Sequence, residues 1–549
     1  MPGPLHGPIV PTEIRPLGPP LPTDGNTRPA LTDQQVEDKA SEILETGKRF
    51  LKDDYGARAE HLAEVVADLS PEDASKLVQE LLRQDPGALR SWMNVDTIAQ
   101  MHAEGRISDE GHAALANAFA EAYNDGRISD TDLATFLGAD VAMRHPPAVA
   151  DAQYADLLDF LDAGGDTDAM NRMREDFAGY LLTQSLDQMA PTFAFHAPGL
   201  AMQIADGSGD ADMAARVFND VLEGNGGGEE VRTQLLTAIG DSSIGFHNSA
   251  GAVDGLVNPM AVLIDSVAQQ PATTQWNDLA VAIARFANSS DNAVFLDRDA
   301  PIPATSEALG NLLAGDHGDA ILTALTHMDM TIVSGGNGEA FGQNAMDLGN
   351  LLRLTVLNPD SPNADAAMQT IEEWVSVRKD LLNGVERGDY PAGLDTSTAA
   401  EQLGMLGGAA VDAVQQMKIS QDARAAANEA LVGFVLDLAL AAVPAGGKIS
   451  ALVGKDLKAS FGNNPAIDRV IDQALSQGDT LNGQMVDQLK KDIAGVLTEE
   501  QVDLAVLREN ASNFVVQSVL GGISGEGNTH PVTIKNTIQN VQDDIAQHR

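Results

Sequence analysis

Apolar positions along the chain recur at intervals of three and four residues. Met213, Val217 and Val221, flanked by Phe218 and Leu222, fall on one face of a helix. Phe341, Ala345, Leu348 and Leu352 do the same, as do Ile467, Val470, Ile471 and Ala474. Runs rich enough in β-branched residues to suggest a strand are confined to 331–333 and 532–534, and both are short. Polar residues mark where helices should begin. Thr32-Asp33-Gln34-Gln35 has the spacing of a capping box, in which the first and fourth side chains satisfy each other's backbone N–H groups. Ser70-Pro71-Glu72-Asp73, Thr398-Ala399-Ala400-Glu401 and Thr498-Glu499-Glu500-Gln501 repeat the signal. The expected fold is all-α, built of irregular stacked helical hairpins in several contacting subdomains.

Nine of the 25 prolines lie within the first 30 residues, where they deny the backbone helix or ladder hydrogen bonds. Residues 1–31 are therefore expected to be a disordered tail. Proline and glycine clusters further on divide the expected helical part at 32–145, 146–300, 301–395 and 396–549. Internal similarity is partial: Gly105-Arg106-Ile107-Ser108-Asp109 returns 21 residues later as Gly126-Arg127-Ile128-Ser129-Asp130. Gly165-Asp166-Thr167-Asp168 returns 44 residues later as Gly209-Asp210-Ala211-Asp212, but Gly240-Asp241 and Gly315-Asp316 break that period.

Composition narrows the chemistry. With no cysteine among 549 residues, disulfides, cysteine-ligated zinc, iron–sulfur clusters and thiol nucleophiles are excluded. A net charge of −46, from 34 Lys and Arg against 80 Asp and Glu, repels phosphate backbones, so no nucleic-acid partner is expected. The longest apolar run, 431–445, contains Asp437 and Pro444 and is shorter than the roughly 18–20 residues a membrane span needs. It is expected to form one arm of a buried apolar hairpin in the C-terminal subdomain. No lysine occurs between Lys76 and Lys379, which fits either an arginine-preferring genome or selection against ubiquitin acceptor sites inside a eukaryotic host.

Several constellations could carry chemistry. Asp206, Ser208, Asp210 and Asp212 have the first four spacings of a calcium loop, but Val217 stands where the bidentate glutamate belongs. The competing expectation is that Asp210 or Asp212 caps the helix starting near Met213, as Asp166 or Asp168 would cap another. Asp316, His317 and Asp319 place two carboxylates around a histidine and share part of a metallophosphatase element, although the rest of that pattern is missing. Asp319 is expected instead to cap the following helix. His247 and Ser249, with Gly251, form half of a nucleophile elbow, with an inter-helix loop as the alternative. No cofactor and no metal are expected.

The proline-rich tail, the lack of cysteine, the scarcity of lysine and the long acidic helical body together resemble large bacterial effectors exported by specialised secretion systems. The segment 431–447 (LVGFVLDLALAAVPAGG) is similar to short hydrophobic helices of polymorphic-toxin proteins. The resemblance implies a secreted or translocated protein acting on a protein partner. Two other functions remain open at this point: a hydrolase with its site between residues 196 and 327, and an acidic protein of a salt-adapted organism.

Overall fold

The computed structural model describes residues 30–48, 54–137, 156–186, 197–249, 258–288, 303–327, 338–358, 361–384, 390–416 and 465–476, with isolated positions near 458 and 488–496. In chain order its helices are α1 (Asp33–Glu45), α2 (Tyr55–Ala67), α3 (Pro71–Gln84), α4 (Ala88–Ser91), α5 (Val95–Ala103), α6 (Asp109–Asn124) and α7 (Asp130–Phe136). They continue as α8 (Asp168–Leu186), α9 (Ala197–Asp206), α10 (Met213–Gly224), α11 (Glu229–Ser249), α12 (Pro259–Ala268) and α13 (Thr274–Asn288). The last are α14 (Pro303–Ala314), α15 (Gly318–Leu325), α16 (Gly338–Leu354), α17 (Ala364–Leu382), α18 (Thr396–Gln416) and α19 (Pro465–Ser476). Residues 156–163 are also helical, and no strand occurs among the described residues. The fold is all-α. The strand-like runs, the signal at 498–501 and the apolar segment 431–447 lie outside the described residues. Among the described residues no helix is long and apolar enough to cross a membrane.

Local chemistry accounts for many helix starts. Thr32 accepts the N–H of Gln35 while the Gln35 side chain accepts that of Thr32, completing the reciprocal box. Ser70 caps Asp73, with Pro71 in the first turn where its missing N–H costs nothing. Asp73 does not reach back to Ser70; it accepts the N–H of Leu31 at 3.2 Å, tying the start of α1 to α3. The expected start at Thr398 is corrected: α18 begins at Thr396, and the Asp395 carboxylate accepts the N–H of Thr398 at 2.8 Å. That bond holds the Asp395 carboxyl below its usual range. With its N–H capped from Asp395, Thr398 is the third residue of the helix, which therefore starts earlier. Asp168 does not cap α8 either; Thr167 accepts the N–H of Met170 at 3.2 Å.

One contiguous apolar core runs from Val36 to Ile493. Packing follows chain order: α1 lies on α3, α3 and α2 on α6, α6 on α8, α8 on α9 and α10, α12 on α14, α14 on α17, and α16 and α17 on α18. Each extensive contact joins helices no more than four places apart in this numbering. The side-chain bonds between helices repeat the pattern. Asn311 donates to Asp265 across 46 residues, Asn363 to Asn311 across 52, and Asn350 to the Asn288 carbonyl across 62. A stack of this kind holds together through neighbour interfaces, as helical solenoids do. Contacts also cross 145/146 (α6 with α8), 300/301 (α12 with α14) and 395/396 (α17 with α18).

Two buried clusters fix the stack locally. Phe119 stacks on Phe136 at 3.8 Å, and Phe160 meets Phe136 edge-on at 5.2 Å and Phe119 at 6.3 Å. Farther along, the fully buried Arg378 lies 3.4 Å over the Trp374 ring. It donates to Gln402 on α18 and to Thr323 on α15, pinning three helices together. Burial pushes its pKa down to about 9, against the pull of Asp319.

Candidate functional site

Helices α9, α10, α12 and α14 surround a cavity of about 640 Å³. Asp206 ends α9 at its rim, Asp210 sits in the turn that follows, Asp265 projects from α12 and Glu307 from α14. The turn from α9 to α10 depends on Gly209, whose φ of 72° suits a residue without Cβ. Ser266 accepts the Ala215 N–H at 2.9 Å and so locks α12 against the start of α10.

The carboxylates are not equivalent. Arg216 bonds Asp210 at 2.9 Å and Glu175 at 3.1 and 3.2 Å, and this hydrogen bonding holds the Asp210 carboxyl below its usual range. Asp210 is therefore ionised and already paired with a cation. Asp206 keeps an exposed face, yet the protein mass around it pushes its carboxyl upward. Asp265 is pushed up chiefly by burial and further by Glu307 and Asp206, against a 2.9 Å hydrogen bond from Asn311. Among the described residues no cation is paired with Asp206, Asp265 or Glu307. The cavity thus presents three carboxylates that a guanidinium or ammonium group would relieve.

The calcium-like spacing does not produce a converging ligand set. Ser208 is buried, donates to the Ala205 carbonyl at 2.6 Å and accepts the Asp210 N–H. Asp210 accepts the Asp212 N–H at 3.0 Å and is held by Arg216, while Asp212 accepts from Gln270 at 2.8 Å. Asp212 occupies the cap position of α10 without making a side-chain capping bond, so local turn bonding and cross-helix ties replace both expectations for this loop.

His317 is fully buried. Its Nε2–H donates to the Val267 carbonyl at 3.0 Å, and Nδ1 hydrogen-bonds with the Asn277 side-chain amide at 2.7 Å. Both ring nitrogens are engaged in joining α12, α13 and α15. Gly318 follows it because a Cβ there would lie 2.1 Å from the Leu313 carbonyl oxygen. Asp316 is exposed, and Asp319 lies inside the first turn of α15, 4.0 Å from Arg378, instead of capping it. His247 and Ser249 belong to the last turn of α11, so helix stands where the alternatives were an elbow or a loop. Their side chains lie outside the described set.

A second constellation gathers on α5, α6 and the 156–163 helix. His102 and His112 stack at 4.2 Å, and their ring nitrogens and the Asp159 carboxylate lie within 4.8 Å of one another. The sequence scatters these residues over 57 positions, each unremarkable alone. Asp265 and Glu307 were equally invisible beside Asp206, because only packing brings their helices together. The chain matches no protein-family model and no curated protein.

Proposed function

We propose that the protein is a non-enzymatic helical interaction protein, delivered as a secreted or translocated effector, that receives a basic segment of a protein partner in the acidic cavity between α9, α10, α12 and α14. The observation that carries this reading is the set of three carboxylates, Asp206, Asp265 and Glu307, with no cation paired to them among the described residues. A net charge of −46 supports it by steering a cationic partner over a long range, with an on-rate that falls as salt rises.

Titration of a fluorescent Lys/Arg-rich peptide into the full chain tests the binding step. Saturable binding should weaken sharply in a D206N/D265N/E307Q variant and hardly at all when three exposed acids elsewhere, such as Asp33, Asp365 and Glu373, are neutralised. Equal losses in both variants would reduce the interaction to bulk charge. Binding also carries a pH signature. A cation needs the ionised carboxylates, and Asp206 and Asp265 hold their protons to higher pH than ordinary aspartates. Affinity should therefore decline on acidification at a pH above the ordinary aspartate value of about 4, and that decline should disappear in the triple variant. Delivery is tested separately by export of a reporter fused to residues 1–50.

The same cavity supports a hydrolytic reading through one feature, carboxyls pushed up at Asp206 and Asp265 beside one held down at Asp210, an acid next to an ionised carboxylate as acid–base catalysis uses. Turnover of chromogenic esters or glycosides that is lost in Asp265→Asn would favour it over the binding reading.

A further inference from the structure

We propose that His102, His112 and Asp159 bind a single divalent cation of the zinc class. The site lies in α5, α6 and the 156–163 helix, shares no residue with the lining of the acidic cavity, and does not depend on the interaction reading. His102 Nδ1 is 3.5 Å from Asp159 Oδ2, and His112 Nδ1 is 3.8 Å from the same oxygen. Bonds of about 2.0–2.1 Å to a tetrahedral ion would place such donors about 3.3 Å apart, so each histidine is within a few tenths of an ångström of the required distance to Asp159, while the two histidine nitrogens lie within 4.8 Å of each other.

Proton placement gives the stronger argument. On its other side, His102 Nε2 lies 3.0 Å from Asp109 Oδ1, a hydrogen bond that puts the single proton of a neutral ring on Nε2. Nδ1 then turns a lone pair toward a carboxylate, and two acceptors facing each other at 3.5 Å repel unless positive charge lies between them. A carboxylate behind one nitrogen and a metal in front of the other is the usual setting of a ligating histidine. His112 repeats the problem. It is 1% exposed, its Nδ1 is too far from Asp159 for a hydrogen bond, and its buried Nε2 has no hydrogen-bond partner among the described residues. Burial and the neighbouring His102 both disfavour the imidazolium form.

The surroundings fix the donors and favour a cation. Phe160, next to Asp159, packs edge-on against the His112 ring at 5.6 Å and belongs to the aromatic cluster with Phe119 and Phe136. Burial, and after it Asp96 and Asp159, push the Asp156 carboxyl up, a crowding of carboxylates that a cation would relieve. Two imidazoles with one carboxylate suit a borderline ion such as Zn²⁺ rather than Mg²⁺ or Ca²⁺, which prefer oxygen alone, and three protein donors leave a coordination position for water.

The test uses the full-length protein, stripped with a chelator and titrated with Zn²⁺ against a chromophoric competitor in excess Mg²⁺, which occupies the all-oxygen sites of so acidic a chain. One Zn²⁺ per chain is expected. His102→Gln and Asp159→Asn, both at partly exposed positions, should weaken it by about tenfold or more, while leaving the metal-free circular dichroism and melting temperature unchanged. Zn²⁺ should raise the melting temperature of the wild type and not of the variants. Co²⁺ gives an independent signature, visible absorption bands that both substitutions abolish. No Zn²⁺ retained above the Mg²⁺ background, or equal retention by both variants, would overturn the proposal. The cluster would then be a structural contact joining α5, α6 and the 156–163 helix.

Discussion

Residues 105–109 and 126–130 carry the same five amino acids and fold into the same turn. Gly105 and Gly126 sit at φ 71° and 70°. Arg106 and Arg127 return their N–H groups to the Met101 and Ala122 carbonyls at 2.9 and 2.8 Å. Ile107 and Ile128 are buried to the same degree, and Ser108 and Ser129 cap the next helix at 3.1 and 3.2 Å. The residues around the turns differ. Three positions before the glycine stands His102 in one and Tyr123 in the other; His102 faces Asp109 and Asp159, whereas Tyr123 donates to Asp176 at 2.9 Å. Arg106 is tied to Glu60 on α2, and Arg127 to Asp125 and Gln79. A five-residue sequence is enough to write a helix junction. What the junction presents is decided by the residues just outside it and by the helices packed on it, and among the described residues the first copy alone assembles a set of possible metal donors.

The largest expected effect strikes what the two turns share. Phe119 lies on the helix that joins them, so Phe119→Ala should cost about 3–5 kcal/mol in urea-induced unfolding. A loss below about 1 kcal/mol would mean that the aromatic cluster does not couple them. Ile107→Ala and Ile128→Ala should each cost about 2–5 kcal/mol, with closely similar values by the same measurement; a large inequality would show that equal burial conceals unequal packing. The smallest effect isolates the backbone. A Cβ on Gly105 or Gly126 would meet nothing within 4 Å, so Gly→Ala at either site should cost only the left-handed conformation, about 1–2 kcal/mol, and cost it equally. Thermal melts of the two variants check that equality.

The helical class, the starts at Thr32 and Ser70 and the kinship of the two turns were legible in the sequence because each rests on bonds within a few residues. The start at Thr398 was misplaced because Asp395, three residues upstream, is an equally good cap and the sequence does not rank the two. The sites were much less legible. Asp206 and Asp210 were noticed as a spaced set of carboxylates, but the groups that share the cavity with them, Asp265 and Glu307, lie 59 and 101 residues beyond Asp206. His317 drew attention through the carboxylates next to it in sequence, whereas its partners are Asn277 and the Val267 carbonyl. His102 and His112 drew none, since ten residues and a turn separate them along the chain.

Because every extensive contact among the described residues joins helices at most four places apart, no interface ties one end of the array to the other, and mechanically it is a row of springs in series, each spring a set of overlapping helix contacts. A load applied at its two ends passes undiminished through every junction, and extensions add along the row. Yielding then belongs to the weakest junction, wherever it sits, and stiffening any other leaves the yield force where it was.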